Sequence, residues 1–417
     1  MSRRVAVVGA GLAGVTTAYE LAALGCQVHV FERGGSIAGR ASFASSALLS
    51  PFLPQLINTA PPAPLMWRWR RWRAGRRGGE AGAALAALSL LGLARTAVLR
   101  QSLRLEDEST DGLLVALTDA KRLAAAESRL DSWAALGAQV QLLDASQARL
   151  REPGLDPDAP LAGALALTGG GAGNPRLFAQ QMRHHAQRLG VRFRFNTTVR
   201  ALSADGSGPT LRHEYVPPAD NSSRFAERDA SDIVSQRPEV RDERFDAVVL
   251  CNGLAAQSLL GAQRLPLAAQ HETSVTAPIR LLEAHPDLGP KAAWIDASRG
   301  IVVARTGQRV RISGDLAVTD AKAKHKPDFE GLHRGLQHWF PGSVLRQQVQ
   351  HSQSRRAVAA DGLPVLGASG RPGVWLNLSP GGQGWGQSCG AALVLAQQIA
   401  GTHPAMDIAA LGPQRLA

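Results

Sequence analysis

The pattern of apolar and polar positions predicts a strand, a helix and a second strand at the start of the chain. Residues 4 to 8 are almost wholly apolar after the first arginine, as in a strand buried on both faces. Apolar residues then recur at helical spacing from 13 to 24, Gly25 follows as a helix C-cap, and residues 27 to 31 form the next apolar run. This order is typical of a βαβ unit in a parallel sheet. We therefore expect an α/β fold.

Further periodic segments are spread along the remaining chain. The pattern predicts helices over 81–101, 120–136, 175–190 and 386–401, and strands over 111–118, 191–195, 246–250, 301–304, 310–313 and 374–378. Residues 203 to 242 are polar, charged and not periodic, which indicates a surface insertion. With 417 residues, 45% of them hydrophobic, the chain is long enough for two domains of a soluble enzyme.

The turn between the first strand and the first helix carries the clearest chemical signal. Six residues match the pattern GxGxxG, and they are Gly9, Ala10, Gly11, Leu12, Ala13 and Gly14. Gly9 permits a tight turn, Gly11 lets the backbone approach a pyrophosphate, and Gly14 lets the helix pack closely on the strand. Unpaired N–H groups at the helix N-terminus attract phosphate, and Glu32 after the next strand suits ribose hydroxyls. The sequence predicts a dinucleotide site, in a pattern that NAD and FAD share.

Other segments resemble the FAD-dependent amino acid oxidoreductases of the D-amino acid oxidase superfamily, and most closely its D-amino acid dehydrogenase small subunit. The similar segments are residues 33–42, 190–197, 246–253, the DGxPxxG element at 361–367, and 375–390. The resemblance covers nearly the whole chain and selects FAD over NAD. The cofactor-binding residues that the motif and the resemblance imply are Gly9, Gly11, Leu12, Ala13, Gly14, Glu32, Arg33, Arg40, Ala41, Ser42, Val199, Asn252, Gly253, Gly381, Gly382, Gln383 and Gly384.

The resemblance also implies two interleaved domains. A Rossmann-type FAD-binding domain with a central parallel sheet takes residues 1–60, 190–260 and 355–417. A substrate domain, an antiparallel sheet with helices, takes residues 61–189 and 261–354. The polar insertion at 203–242 lies within the first of these domains.

Arg356 stands where the superfamily has the arginine that binds the substrate carboxylate, at the same offset before DGxPxxG. A guanidinium pairs bidentately with a carboxylate, and this clamp holds the substrate Cα–H for hydride transfer to flavin N5. The product imine then hydrolyses to a 2-oxo acid and ammonia. A tyrosine often found near the substrate is absent, and Gln270 and His271 stand in its place. We therefore take His271 as a second candidate, able to donate a hydrogen bond or accept a proton near neutral pH.

Departures from the superfamily pattern keep other functions open. The family's Ser-x-x-Asn-x-Gly and Gly-His-Gly motifs are altered at residues 42–47 and 379–381. D-amino acid oxidation is our first expectation, with either a respiratory-chain acceptor or O₂ taking the electrons. The alternatives are a glycine- or sarcosine-type amine oxidase, a transfer-RNA-modifying FAD oxidoreductase, and a flavin-binding protein without amino acid turnover.

Arginine carries most of the net charge of +12, and one cluster interleaves arginine with tryptophan. Its members are Trp67, Arg68, Trp69, Arg70, Arg71, Trp72 and Arg73. Indole rings suit the headgroup level of a bilayer and arginine suits anionic phosphate, so a membrane surface is our first interpretation. A structural or oligomer contact comes second, and stacking on nucleic acid comes third.

Cysteine usage and the N-terminal sequence bear on the compartment. Three cysteines, Cys26, Cys251 and Cys389, lie far apart with no metal-type spacing, so we predict neither a disulfide framework nor a metal site. The chain begins with a strand pattern rather than a signal peptide, and residues 81–99 are too weakly apolar to span a bilayer. We expect a cytoplasmic protein, attached peripherally to the inner face of the cell membrane if the tryptophan-rich cluster binds lipid.

Overall fold

A computed structural model describes most of the chain. The described residues are 2–42, 45–50, 61–75, 79–216, 239–263, 265–320, 323–378 and 384–416. The strands in chain order are β1 (Arg4–Val8), β2 (Gln27–Phe31), β3 (Leu48–Leu49), β4 (Thr110–Leu117), β5 (Val140–Asp144), β6 (Gly163–Ala172), β7 (Arg192–Arg194), β8 (Thr197–Asp205), β9 (Gly208–Tyr215), β10 (Glu239–Arg244), β11 (Ala247–Leu250), β12 (Leu267–Pro278), β13 (Ala293–Asp296), β14 (Ile301–Thr306), β15 (Arg309–Thr319), β16 (Gln350–Ala359), β17 (Val365–Ala368) and β18 (Val374–Leu378). The α-helices are α1 (Leu12–Ala23), α2 (Leu65–Gly75), α3 (Gly79–Leu103), α4 (Ala120–Glu127), α5 (Leu130–Ala135), α6 (Ala145–Arg151), α7 (Pro175–Arg188), α8 (Ala256–Leu260), α9 (Phe329–Trp339) and α10 (Gly384–Ala400).

The first sheet has the strand order β17-β18-β11-β1-β2-β7. The strands from β18 to β7 are parallel, and β17 joins the edge antiparallel to β18. Buried residues of α1, α7 and α10 pack on one face of this sheet, while α8 and the antiparallel sheet β10-β9-β8 cover the other. The predicted βαβ unit and the parallel sheet are therefore confirmed.

The second sheet has the order β16-β12-β15-β14-β13-β4-β6-β3, with β5 also paired to β6. All its pairings are antiparallel except that of β13 with β4. Helix α9 packs on one face through Leu332, Leu336 and Trp339. Part of the opposite face is covered by α3 and by Ala47 and Leu48 of the β3 segment. The predicted α/β fold with a second, antiparallel-sheet domain is confirmed.

Helix α3 joins the two sheets and corrects the predicted domain boundary. A Cβ on its Gly92 would lie 2.1 Å from the carbonyl oxygen of Gly386, so α3 and α10 touch backbone to backbone. Arg95 of α3 also forms a two-pronged ion pair with the buried Glu20 of α1, at 2.8 and 2.9 Å. Helix α7 packs on the first sheet as well. Residues predicted to belong wholly to the substrate domain thus form part of the first domain's helical layer.

Helix α3 also bears on the question of membrane spans. Glu80–Leu103 is long and apolar enough to cross a bilayer, with a mean hydropathy of 1.7, so the prediction that this region is too weakly apolar was wrong on composition. Its Leu88 and Leu99 are fully buried against α10 and α1. These contacts hold α3 against α10 and α1, while 39% of its apolar window is buried.

Two other expectations need correction. The predicted insertion at 203–242 contains the end of β8, all of β9 and the first four residues of β10, and these strands pair as an antiparallel sheet. Residues 217–238 lie outside the described part. The helix predicted over 120–136 is two short helices, α4 and α5, interrupted at residues 128–129. By contrast, Asn174 caps α7 through a 3.2 Å hydrogen bond from the Leu177 N–H, as predicted.

Candidate functional site

The glycine turn between β1 and α1 has the geometry that its motif predicts. Gly9 adopts φ +102°, a conformation that favours glycine. A Cβ on Gly14 would lie 1.8 Å from the Gly9 carbonyl oxygen, so only a glycine lets α1 pack this closely on the strand. Gly11 is the N-cap of α1 and supplies no side-chain cap, and the helix has no acidic residue in its first turn. The positive end of α1 is therefore suited to an anion.

Side chains from the next strand and loop support this turn. The carboxylate of Glu32 accepts hydrogen bonds from the N–H of Ala10 and the N–H of Gly34, both at 2.8 Å. The Ser42 hydroxyl oxygen accepts a 3.2 Å hydrogen bond from the N–H of Leu12. Glu32 and Ser42 are thus brought to the turn as predicted.

Two observations indicate that this region fits an anionic dinucleotide. Burial lowers the pKa of Arg33, and the nearby guanidiniums of Arg40 and Arg355 lower it further. Clustered guanidiniums are typical of a site for a diphosphate. In addition, the side-chain oxygen of Asn252 is buried with no hydrogen-bond partner among the described residues. Such an atom calls for a ligand or water.

The other predicted cofactor residues are placed as follows. Val199 lies in β8, which is tied to the end of β2 by a 2.9 Å hydrogen bond from the Thr197 N–H to the Glu32 carbonyl. Gly253 follows β11 and opens a short 3₁₀ helix with φ +59°. Gly384 is the first residue of α10, whereas Gly381, Gly382 and Gln383 lie outside the described residues. Ala13 lies in α1, and Ala41 directly precedes Ser42.

One face of the second sheet carries a group of buried polar residues. Side chains alternate between the two faces of a strand, so the even-numbered residues of β12 share one face. Four of them are polar and buried, and they are Gln270, Glu272, Ser274 and Thr276. Arg356 of β16 is paired with Gln270, and Arg311 of β15 is paired with Thr276, so both belong to this face. We call these residues, with Ser313 and Ser354, the polar face.

The polar face meets the loop that follows β2. A guanidinium nitrogen of Arg311 donates to the carbonyl oxygen of Ser45 at 3.1 Å, three residues beyond Ser42 at the glycine turn. Arg311 also donates to the Thr276 hydroxyl at 2.9 Å. The chain from 45 to 50 continues across the sheet to β3 at its far edge. The polar face therefore contacts Ser45 through Arg311, at a position close in sequence to the dinucleotide turn.

Several polar atoms on this face have no hydrogen-bond partner among the described residues. The hydroxyl oxygens of Ser274, Ser313 and Ser354 and the Nε of Arg356 are buried without a hydrogen bond in the described part of the chain. Buried polar groups are nearly always satisfied, so a cluster of exceptions on one face is typical of a ligand site. The face can hold a small polar molecule next to the cofactor turn.

Arg356 lies on the polar face, whereas His271 lies on the opposite face together with Arg355. Arg356 forms an ion pair with Glu272 and both side chains are largely buried. His271 is an odd-numbered residue of β12 and lies on the opposite face, where its Nε2 is 2.9 Å from the Thr319 hydroxyl oxygen. Burial lowers the pKa of His271, and His325, whose ring centroid is 5.6 Å away, lowers it further. The two predicted catalytic residues therefore do not converge.

The sequence analysis missed Glu272, Arg311 and the three serines. A local signal exists in β12, where residues 270 to 274 are all polar between the apolar residues 267–269 and Val275. That polar run indicates a buried polar face only once the strand is known to have both sides covered. The burial of Glu272 and of the three serines comes from the tertiary structure.

The tryptophan-rich cluster forms helix α2. Trp67 is buried against Ala268, Val318 and Val358 at one end of the polar face. In contrast, Leu65, Met66, Trp69 and Trp72 are exposed, at 79%, 67%, 53% and 56%. Arg68, Arg70 and Arg71 are exposed between them, while the side chain of Arg73 lies outside the described residues.

Comparison with known protein families agrees with this geometry. The family model of the FAD dependent oxidoreductases known as DAO matches residues 4–398. The chain belongs to this family. FAD is accordingly its cofactor, and the glycine turn, Glu32 and the Arg33–Arg40 region are the described residues suited to hold it.

Curated relatives in the DAO family match over nearly their whole length. A D-amino acid dehydrogenase of Cereibacter sphaeroides is 29% identical, over 99% of this chain and 95% of the relative. A D-amino acid dehydrogenase of Rhodopseudomonas palustris is 26% identical, over 99% and 97%.

Solved structures share the fold. Glycine oxidase from Geobacillus kaustophilus superposes with a TM-score of 0.74 at 20% identity, covering 100% of this chain and 99% of that one. L-proline dehydrogenase from P. horikoshii gives a TM-score of 0.73 at 15% identity, covering 99% and 97%. At these identities the likeness establishes the two-domain DAO fold alone.

Proposed function

We propose that this DAO-family chain oxidises D-amino acids. The observation that carries the proposal is the polar face, where Arg356 lies with three buried serine hydroxyls that have no hydrogen-bond partner among the described residues. Arg311 of the same face contacts Ser45, three residues beyond Ser42 of the cofactor turn. Similarity to D-amino acid dehydrogenases over almost the entire chain supports the choice of substrate.

The residues of the site support binding of an α-amino acid. The guanidinium of Arg356 is held by Glu272 through its Nη1, and its Nε is buried without a described hydrogen-bond partner. The edge formed by Nε and Nη2 is suited to a carboxylate. Bound FAD supplies the acceptor for a hydride from the substrate Cα. The role of the protein is then to hold Cα in register with the cofactor and to keep water away.

The test is anaerobic mixing of the flavin-loaded protein with D-alanine, other D-amino acids, their L-enantiomers, glycine, sarcosine and proline. Bleaching of the oxidised flavin band by D-amino acids, and not by L-enantiomers, is the expected result. Bleaching by glycine or sarcosine alone would replace the proposal with an amine oxidase. A loaded flavin that no member of the panel bleaches would refute amino acid oxidation.

The roles of Arg356 and His271 can be separated in the same assay. Replacing Arg356 with Lys retains the charge and loses the planar edge, so we expect kcat/KM to fall by about 100-fold or more. Replacing His271 with Asn is expected to change kcat/KM less than threefold, because His271 lies on the other face of the sheet. A larger loss in the His271 variant would restore its candidacy.

We also propose that α2 attaches the protein to an anionic membrane surface, and that the reduced enzyme passes its electrons to an acceptor there. The exposed stripe of Leu65, Met66, Trp69 and Trp72, flanked by arginines, supports this proposal. Such a helix lies in the headgroup region, where each basic residue contributes roughly 1 kcal/mol. This placement would put the protein on the cytoplasmic face of the cell membrane.

Sedimentation with vesicles tests this attachment. Vesicles containing phosphatidylglycerol should bind the protein, and vesicles of phosphatidylcholine alone should not. The variant Trp69→Ser/Trp72→Ser should lose most binding, whereas Leu281→Ser, which removes an exposed apolar side chain elsewhere, should not. Equal binding by both variants would contradict the proposal, and binding to RNA without binding to vesicles would favour nucleic acid.

A further inference from the structure

Glu272 is a buried acid within a site suited to an acidic group. It is 3% exposed and lies on the polar face, beside the arginine assigned above to the substrate carboxylate. A buried carboxylate at this position is costly unless it is paired, and its pairing with Arg356 removes part of the positive charge that a substrate would meet. Its presence therefore affects which substrates the face accepts.

The pairing leaves room for one carboxylate on Arg356. A guanidinium has two edges that pair with carboxylates, and both include Nη2. Glu272 takes Nη1, so the edge formed by Nε and Nη2 remains, and this Nε is buried without a described partner. Glu272 thus occupies the place of a second carboxylate and orients the guanidinium for the first.

A second guanidinium lies further along the same face. Burial lowers the pKa of Arg311, and Glu272 is the acid that opposes this shift. The Arg311 guanidinium donates to the Thr276 hydroxyl and the Ser45 carbonyl oxygen. Ser274, Ser313 and Ser354 lie between the level of Arg356 and the level of Arg311 in the strand register, and their hydroxyls have no hydrogen-bond partner among the described residues.

We infer that Glu272 is a specificity-determining residue that restricts this site to substrates with a single carboxylate. Without Glu272, Arg356 would present both edges of its guanidinium to acidic groups of the substrate. The carboxylate of Glu272 already pairs with Arg356 beside the substrate α-carboxylate. Its negative charge repels a second carboxylate on the substrate. This inference rests on the proposed function, because it assumes that Arg356 binds the substrate α-carboxylate.

The test compares substrates that differ in charge and hardly in shape. The ratio of kcat/KM for D-glutamine to that for D-glutamate is measured for the flavin-loaded wild type, and the same is done with D-asparagine and D-aspartate. The wild type should prefer each amide by at least tenfold. Glu272→Gln should reduce that preference by at least tenfold, chiefly through a lower KM for the dicarboxylic substrate.

A matched control is Glu283→Gln, which removes an exposed carboxylate outside the site. Its amide-to-acid ratio should equal that of the wild type. A wild type that oxidises D-glutamate as well as D-glutamine would overturn the inference, as would an unchanged ratio in a flavin-loaded Glu272→Gln. A wild type that no amino acid reduces would instead remove the proposed function.

A binding measurement on the wild type keeps the inference testable if Glu272→Gln does not fold. Succinamate and succinate are titrated against the flavin-loaded wild type, and the perturbation of the flavin spectrum reports binding. Succinamate should bind at least tenfold more tightly than succinate. Equal affinities, or tighter binding of succinate, would overturn the inference without reference to turnover.

Discussion

Replacing Gly14 with Ala is the sharpest test of the cofactor turn. The added Cβ would lie 1.8 Å from the Gly9 carbonyl oxygen, whereas real Cβ contacts essentially never fall below 3.0 Å. The atom in the way is backbone, so α1 must move by more than about 1 Å or the turn must unfold. Overpacking of this kind costs roughly 1–3 kcal/mol, and the fixed backbone on both sides places this case at the upper end.

The same displacement affects FAD binding. A movement of about 1 Å would carry the N–H groups at the start of α1 out of hydrogen-bonding distance of the FAD phosphates. The loss of one or two hydrogen bonds to a charged group corresponds to roughly 1.5–3 kcal/mol each, or at least tenfold in FAD affinity. Urea unfolding of the apoprotein and quenching of flavin fluorescence on titration measure the two effects separately.

Gly82→Ala is the matched control, because it is also a glycine in a helix and its Cβ would meet nothing within 4 Å. Since alanine restricts the unfolded chain, this variant should be more stable by about 0.5 kcal/mol and bind FAD normally. A Gly14→Ala protein with the urea midpoint and FAD affinity of the wild type would refute the reasoning.

Three further predictions concern the core. Arg95→Met leaves Glu20 buried without its ion pair, so the free energy of unfolding should fall by about 3 kcal/mol. Adding Glu20→Leu should recover much of this loss, because the unpaired carboxylate is removed. No recovery in urea titrations would argue against the pairing. Burial raises the pKa of Glu152 to about 7. Because this folded-state pKa exceeds the unfolded value, the free energy of unfolding of the wild type should decline as pH rises from about 4.5 through 7. In Glu152→Gln this decline should be smaller by about 3 kcal/mol between pH 5 and 8. Parallel plots of unfolding free energy against pH for the two proteins would contradict the assignment. Trp67→Ala should lower the free energy of unfolding by about 3 kcal/mol, because the buried indole anchors α2. The same variant should be cleaved faster by trypsin within α2. An unchanged rate of proteolysis would show that other contacts hold α2.

The sequence by itself determined the features that depend on neighbouring residues. The glycines at 9, 11 and 14 and the acid at 32 specify a turn whose geometry follows from steric limits on the backbone, and the structure has that geometry. The N-cap and the first-position proline of α7 are equally local, and they were predicted to the residue. Apolar patterns likewise predicted β1, β2 and β11 as strands, and β1 and β2 as parts of a parallel βαβ unit.

The tertiary structure alone decided which distant residues share a site. Gln270 and His271 are neighbours in sequence, but strand alternation sends them to opposite faces, and only the pairing of β12 with β16 shows that the face of Gln270 is also that of Arg356. Glu272, Arg311 and the serines carry no motif, because a buried polar face is defined by what covers it. Burial and strand register arise from contacts between segments far apart in the chain, which the local pattern of residues does not encode.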